Sequence, residues 1–271
     1  MIKAKLLTAT GSDTDLYIGE RVYEGAGTFS FTVPLGVRRI HACCIGAGGA
    51  YSGLNGDGGG GGGLAWANDI EVEPGETLQV TVGASGFDGG DSSIKRDSTL
   101  IMEATGGKKS QGGNDRVGGS YNLGDGISGG GGNGGNGGPS RFFGSDNAMQ
   151  LLGAGGGAGG YMGNGGSGNQ GAADEGSGAG SAGDRKRQSS GISIGGFPGG
   201  SGGGVGLNGR GATGAQLPDL ENTGARNGNP GSGGNGAKFG GGNSDDSGGG
   251  GVRIIWGIRF SYPDNADIEA V

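Results

Sequence analysis

Several residue types are scarce in this chain, and each scarcity closes a class of function. There is one histidine, His41. A zinc site built on imidazole is therefore excluded, and a serine hydrolase has no base other than that residue. There are two cysteines, Cys43 and Cys44, and they are adjacent. Neighbours on a strand point to opposite faces, so no disulfide framework is expected. Seven prolines, with glycine off any strict triplet (Gly153-Ala154-Gly155-Gly156-Gly157), exclude collagen. No run approaches the ~18 apolar residues of a membrane span. Met1–Leu7 carries two lysines but no long apolar stretch, so no secretory signal is expected. No segment shows the apolar stripe of an amphipathic helix. Net charge is −7 and the sequence pI about 4.7, which argues against nucleic acid as the main partner.

What the chain has instead is glycine, at 79 of 271 positions. It comes in runs such as Gly58–Gly63, Gly129–Gly132 and Gly248–Gly251. Leu, Ile, Val and Phe together make up roughly 17% of the chain, below the ~20% typical of a folded domain. One large core is therefore out of reach, though a small β core is not. Glycine loses more freedom on folding than any other residue. Two states remain open for the tracts: a flexible low-complexity chain, or a bundle of polyproline II-like glycine helices. Such helices have three residues per turn and no internal hydrogen bonds. Lacking side chains, neighbours can approach and bond N–H to C=O between tracts.

Strand patterns cluster near the ends. Phe29, Phe31 and Val33 alternate with Ser30 and Thr32. Val37–Ile45, Leu64–Val72 and Thr77–Val82 read as strands, with Glu73-Pro74-Gly75-Glu76 as a turn. Ser92–Ile94 and Thr99–Ala104 add one or two more, and the next comparable segment is Val252–Trp256. If that last strand pairs with the early ones, the glycine-rich section is an excursion anchored at both ends. Glycine-dense tracts alternate there with stretches of larger side chains at Lys108–Ile127, Pro139–Leu152, Gln170–Ile194 and Ala212–Asn229. Loops presented by a rigid scaffold are a common home for binding function.

No motif for chemistry survives scrutiny. Matches to G-x-G-x-x-G are meaningless in this composition without a strand before and a helix after. Gly106-Gly107-Lys108-Lys109-Ser110 has lysine where a P-loop needs Ser or Thr. The acid pairs Asp174-Glu175 and Asp245-Asp246 are adjacent rather than opposed across a sugar bond, as a glycosidase requires. They also lack the EF-hand spacing for calcium. Arg185-Lys186-Arg187 reads equally as a phosphate contact or a solvated run. Neither catalysis nor a cofactor is expected.

Phe29-Ser-Phe-Thr-Val-Pro-Leu-Gly-Val37, Ile45-Gly-Ala-Gly-Gly49, Gly58–Gly63 and Ile70–Gly86 resemble the glycine-rich domain of bacteriophage tail-fibre and tail-tip proteins. Gly89–Ser93 and Ala104–Gly107 fit as well. The ending Gly248–Gly257, followed by Arg259-Phe-Ser-Tyr-Pro263, is similar to a C-terminus shared by many phage fibre proteins. The tract-and-loop layout further resembles the adhesins on long tail fibres of T-even-like phages, whereas Met1–Gly27 does not look like their attachment region. The resemblance implies a mostly β and irregular fold with essentially no α-helix. A small antiparallel β-sandwich at 25–107 plus 252–257 would carry a polyglycine II helix bundle at 108–251. Residues 1–24 would form an N-terminal attachment segment and 258–271 a tail. It also implies a virion protein at the distal tail fibre or tail tip that binds a host outer-membrane protein or glycan through loops. Tyr121, Arg141, Phe142, Phe143, Tyr161, Arg185, Arg187 and Phe197 are the expected contributors, because aromatic and arginine side chains dominate interfaces. The expected partners are that receptor and a tail-fibre or baseplate protein of the same virion, as a single-copy cap or a homotrimer. The main alternative is a tail-tip or baseplate cap with no receptor role. A receptor-kinase-like ectodomain and an ice-binding protein have less support.

Overall fold

The computed structural model describes residues 3–6, 17–50, 57–109, 116–139, the strands at 141–143 and 149–151, 155–168, 205, 207, 247–257 and 260–264. It is mostly β, with no helix among the described residues. The strands are β1 (Lys3–Leu6), β2 (Tyr17–Glu24), β3 (Gly27–Thr32), β4 (Arg39–Ile45), β5 (Leu64–Glu71), β6 (Thr77–Val82), β7 (Ser92–Arg96), β8 (Thr99–Ala104), β9 (Tyr121–Leu123), β10 (Gly129–Gly132), β11 (Arg141–Phe143), β12 (Met149–Leu151) and β13 (Gly251–Trp256). Two antiparallel sheets face each other, ordered β1-β2-β13-β4-β5-β10 and β3-β6-β7-β8-β9, and β11 pairs β12 separately.

The strands expected from alternation are all present, and β13 pairs with both β2 and β4. The sheets are wider than 25–107 plus 252–257. The segment read as attachment supplies β1 and β2, and β9 and β10 lie beyond residue 108. β10 is four consecutive glycines, so it has no alternation to read. It joins through its backbone, with Gly132 opposite Leu64 and Gly130 opposite Trp66.

Between the sheets, Tyr23, Ala42, Cys44, Ala65, Ala67, Val252, Ile254 and Trp256 meet Phe31, Leu78, Val80, Val82, Ile94 and Met102. Trp256 lies over Gly19, where an added Cβ would sit 2.4 Å from the indole, and its ring is 5.7 Å from that of Phe31. The two cysteines behave as their adjacency requires. Cys44 points into this core and Cys43 to the other face, both buried and free. A bulge between β4 and β5 sets Asn68 and Asp69 across from His41. It re-phases the strand so that Ile70 also turns inward, and Asp69 takes a φ of 51° there.

The outer face of the six-stranded sheet carries a second apolar layer. Cys43, Ile45, Leu64 and Ile255 are covered by Ala158, Tyr161, Val205, Leu207, Phe260 and Tyr262. Arg253 is fully buried in this layer. Its Nη2 and Nε donate to Glu20 Oε2 at 2.9 and 3.0 Å, and its Nη1 donates to the Leu207 carbonyl at 3.2 Å. Asn68 holds the C-terminal segment as a strand partner would. It donates to the Tyr262 carbonyl at 2.7 Å and accepts from the Tyr262 N–H at 2.8 Å.

Register puts Ile45, Leu64, Val82, Ser92, Ala104, Tyr121, Gly132 and Gly251 at one end of the sandwich. Glycine tracts leave or enter at each of these points and pack together. The tract at 57–63 lies in their midst. Gly60 and Gly63 donate to Lys108 and Thr105, while Gly58 and Gly61 donate to Gly138 and Gly135. The Gly60 and Gly63 carbonyls accept from Gly49 and Gly46, and those of Gly59 and Gly62 accept from Gly156 and Gly159. Every partner recurs at the third residue. An added Cβ shows the same period: at Gly59 and Gly62 it would strike Gly49 and Gly46 at 2.0 and 1.9 Å, at Gly60 and Gly63 Val117 and Ser120 at 2.3 Å, and at Gly61 Gly157 at 2.0 Å. All three faces of the tract are occupied by other backbones, so no side chain fits on any of them.

Gly61→Ala should lower the melting temperature and open the tracts to protease. Gly249→Ala, where nothing lies within 4 Å, should leave both near wild type. Glu20→Ala should destabilise by about 3–5 kcal/mol in urea unfolding, because it leaves Arg253 charged and buried without its carboxylate.

Candidate functional site

The tracts end away from the sandwich, and there the chain between them begins to carry side chains. Three segments define this far pole among the described residues. The first is the loop 84–90, closed by the Gly90 N–H donating to Ala84 at 2.9 Å. Its crest is Gly86-Phe87-Asp88, tied down by the Ala50 N–H, which reaches the Gly86 and Phe87 carbonyls at 3.0 Å. The second is 107–109 with 116–118, joined by the Lys108 N–H donating to Val117 at 2.9 Å. The third is 137–138, whose Gly137 N–H donates to Arg116 and whose Gly138 carbonyl accepts from Gly58.

Phe87 is 60% exposed, with Lys109 Nζ 5.4 Å from its ring centroid. The Asp88 carboxylate fixes that lysine's backbone by accepting its N–H at 3.0 Å. Val117 is also exposed, while Arg116 and Asp57 form a largely buried ion pair at 3.5 Å. The pole thus offers an aromatic ring, an aliphatic group and the two lysines Lys108 and Lys109 on a backbone held by tract hydrogen bonds. Nothing in this set is arranged for bond-making. It is suited to contact: aromatic area with adjacent positive charge.

Of the expected contact residues, the two whose side chains are described, Tyr121 and Tyr161, lie away from this pole. Tyr121 is at the sandwich end of β9, half-buried, with its ring over Gly131 and against the inner core. Tyr161 is 6% exposed and belongs to the second core. Its hydroxyl lies 3.4 Å from Cys43 Sγ and donates to the Leu207 carbonyl at 3.0 Å, and its ring stacks on Tyr262 at 5.6 Å. It packs on the outer face of the six-stranded sheet. Arg141, Phe142 and Phe143 form β11, whose side chains lie outside the described residues, as do Arg185, Arg187 and Phe197 altogether. Phe87, Lys109 and Val117, which stand at this pole, are not among the residues expected from the sequence. The signal was available, since Phe87-Asp88 is a bulky interruption between Gly86 and Gly89, the same pattern that singled out the later loops.

The buried polar layer is not a reactive centre. Burial pushes the Cys43 thiol up, and the Tyr161 hydroxyl and Arg253 charge only partly offset this. Cys44 is raised further, by burial and then by Cys43. Neither is a thiolate at neutral pH. No group of three potential metal ligands occurs among the described residues, and no helix there is long and apolar enough to cross a membrane.

A family model described as Glycine-rich domain matches residues 24–256, from the end of β2 to the end of β13. The chain belongs to the glycine-rich domain family. No curated protein matches it in sequence.

The pole of this glycine-rich domain opposite the tracts is an ionic cleft lined by Arg38, Arg39, Glu71, Glu73, Glu76, Arg96 and Asp97. Arg96 bridges the Glu76 carboxylate and the Glu71 carbonyl. Burial pushes the Glu76 carboxyl up, but hydrogen bonds from Arg96 and the Glu73 N–H, with the arginine's charge, outweigh it and hold the carboxyl below its ordinary value. A depressed carboxyl stabilises the fold above its unfolded-state value, and that stability is lost as pH falls through the lower folded-state value. Thermal melts should therefore show Glu76→Gln less stable than wild type at pH 7, with the gap narrowing as pH falls below the ordinary carboxylate range. A gap that stays constant with pH would exclude this linkage.

Proposed function

We propose that this glycine-rich domain is a bacteriophage tail-fibre adhesin that binds a host cell-surface receptor, an outer-membrane protein or a surface glycan. The tracts are read as a polyglycine II bundle. The observation that carries the reading is a polarity among the described residues: the glycine tracts pack at one end of the sandwich, and the segments 84–90, 107–109, 116–118 and 137–138 lie at the far end of those tracts. Segments there can change without entering any core, because the tracts hold one another through backbone alone. The resemblance of the two ends of the chain to phage fibre proteins supports the same reading. Phe87, Lys109 and Val117 join Arg141, Phe142, Phe143, Arg185, Arg187 and Phe197 as proposed contacts, while Tyr161 and Tyr121 act as packing residues. The opposite pole then faces a tail-fibre or baseplate protein of the same virion. Binding is non-catalytic, needs no cofactor, and is reinforced by the many fibres on one particle.

The second reading, a structural tail-tip or baseplate cap, draws on the burial of Tyr161. A residue expected to contact the receptor serves the core instead. Fluorescently labelled protein added to a panel of host cells separates the two. The adhesin reading expects saturable binding to some strains. Phe87→Ser with Lys109→Ala, or a glycine-serine replacement of 170–194, should weaken it by about tenfold or more. Far-UV circular dichroism and protease resistance would confirm that each variant is folded. Binding retained by both variants would move the contacts to another loop. Absence of binding to every susceptible host would leave the structural cap.

A further inference from the structure

Asn-Gly steps recur along the described glycine tracts, at Asn133-Gly134, Asn136-Gly137 and Asn164-Gly165. This dipeptide carries a reaction of its own. The glycine nitrogen attacks the asparagine Cγ, because glycine has no side chain to hinder the approach. The new N–Cγ bond closes a succinimide ring, and Nδ2 leaves as ammonia with the glycine N–H proton. Water then opens the ring at either carbonyl, giving aspartate or isoaspartate. The reaction needs no catalyst. It does need a glycine nitrogen that is free to lose its proton and swing onto Cγ.

At these steps that nitrogen is held. The Gly134 N–H donates to the Gly119 carbonyl, that of Gly137 to Arg116 and that of Gly165 to Asn133, each at 2.8 Å. Two of the amide side chains are held as well. Asn136 Oδ1 accepts from the Gly118 N–H at 2.9 Å, and Asn164 Oδ1 accepts from the Asn133 N–H at 2.8 Å. Asn133 and Asn136 stand three residues apart on the exposed face of their tract. Its other faces meet backbone: an added Cβ at Gly134 would lie 2.0 Å from the Gly61 oxygen, and one at Gly135 1.9 Å from the Gly166 oxygen.

These bonds share one element. Asn133 and Asn136 belong to the tract 132–138, and both Asn164 and Gly165 are tied to Asn133. Displacing that tract breaks all of them together. The local sequence is also the same at each step, Gly-Asn-Gly-Gly, so the reaction has the same intrinsic chemistry at each and any difference in rate reports the fold.

We propose that Asn133, Asn136 and Asn164 are latent modification sites, sealed while the tract 132–138 is in place and converted to aspartate and isoaspartate once it leaves. For the fold the conversion is one-way. Isoaspartate puts an extra carbon into the main chain, so the residues after it fall out of the three-residue repeat that the neighbouring tracts bond. A tract modified in this way does not return to its place. The proposal does not rest on the receptor reading.

Peptide mapping by mass spectrometry tests it on the full chain in mildly alkaline buffer. Folded wild type, wild type unfolded in urea and Gly135→Ala are followed over the same period. The sites should convert more than about tenfold more slowly in folded wild type than in urea. Gly135→Ala, which displaces the tract, should convert Asn133, Asn136 and Asn164 together and faster than wild type. If that variant does not fold, wild type held just below its melting temperature takes its place. A brief protease pulse on the partly converted sample should leave isoaspartate at these positions out of the resistant fraction. Conversion of folded wild type at the urea rate, conversion of one site while the others stay sealed, or isoaspartate in the resistant fraction would overturn the proposal.

Discussion

The backbone hydrogen bonds between glycine tracts are the constraint on which the rest of this molecule depends. A chain with so little apolar side chain cannot hold long segments in place by burial. It holds them by bonding N–H to C=O between segments far apart in sequence, as Gly61 does to Gly135 and Gly159 does to Gly62. Bonds of this kind require backbones in contact, and contact on three faces leaves room only for hydrogen at Cα. The abundance of glycine is thus a steric requirement. Its entropic cost is offset because each tract satisfies its polar groups on several neighbours at once.

The sandwich has a different role. It sets the spacing and direction of the tracts that leave or enter at Ile45, Leu64, Val82, Ser92, Ala104, Tyr121, Gly132 and Gly251, where strands end in register with their neighbours. The second core on the outer face of the six-stranded sheet ties the two systems together. Ala158 and Tyr161, which end a glycine tract, pack on Cys43, Leu64 and Ile255 of the sheet. Arg253 is neutralised by Glu20 from the adjacent strand, so this junction contains a buried ion pair as well as apolar contacts. Such a pair is costly to break on one side, which makes the junction specific as much as stable.

Much of the sandwich was legible because alternation is visible wherever side chains exist. β6 reads Thr-Leu-Gln-Val-Thr-Val and folds with Leu78, Val80 and Val82 inward. The pairing of β13 with the early strands followed from its isolation at the far end of the glycine-rich section. β10 was illegible because four glycines have no faces to tell apart, and only the register with β5 defines them as a strand. β2 was missed because Gly19 and Arg21 interrupt its inner face, and Trp256 from β13 fills the space above Gly19. The site was less legible than the fold. Bulky residues in glycine-rich surroundings were read as contact residues, yet Tyr161 is a core residue packed on strands about a hundred positions away. Residue type identified the interruption. It did not say whether the interruption turns outward, as at Phe87, or inward, as at Tyr161.

The central place of β13 bears on how the chain is made. β13 sits between β2 and β4, so those two strands have no contact ladder of their own until Gly251–Trp256 arrives. Synthesis at ~5–20 residues per second puts roughly 10–40 s between completing β4 and completing β13. Throughout that interval the facing edges of β2 and β4 stand open, with Ile40, Cys44 and Ile45 on one of them. The nascent chain therefore waits for its last strand, and the long glycine-rich stretch emerging in between adds little apolar surface that could pair with those edges wrongly.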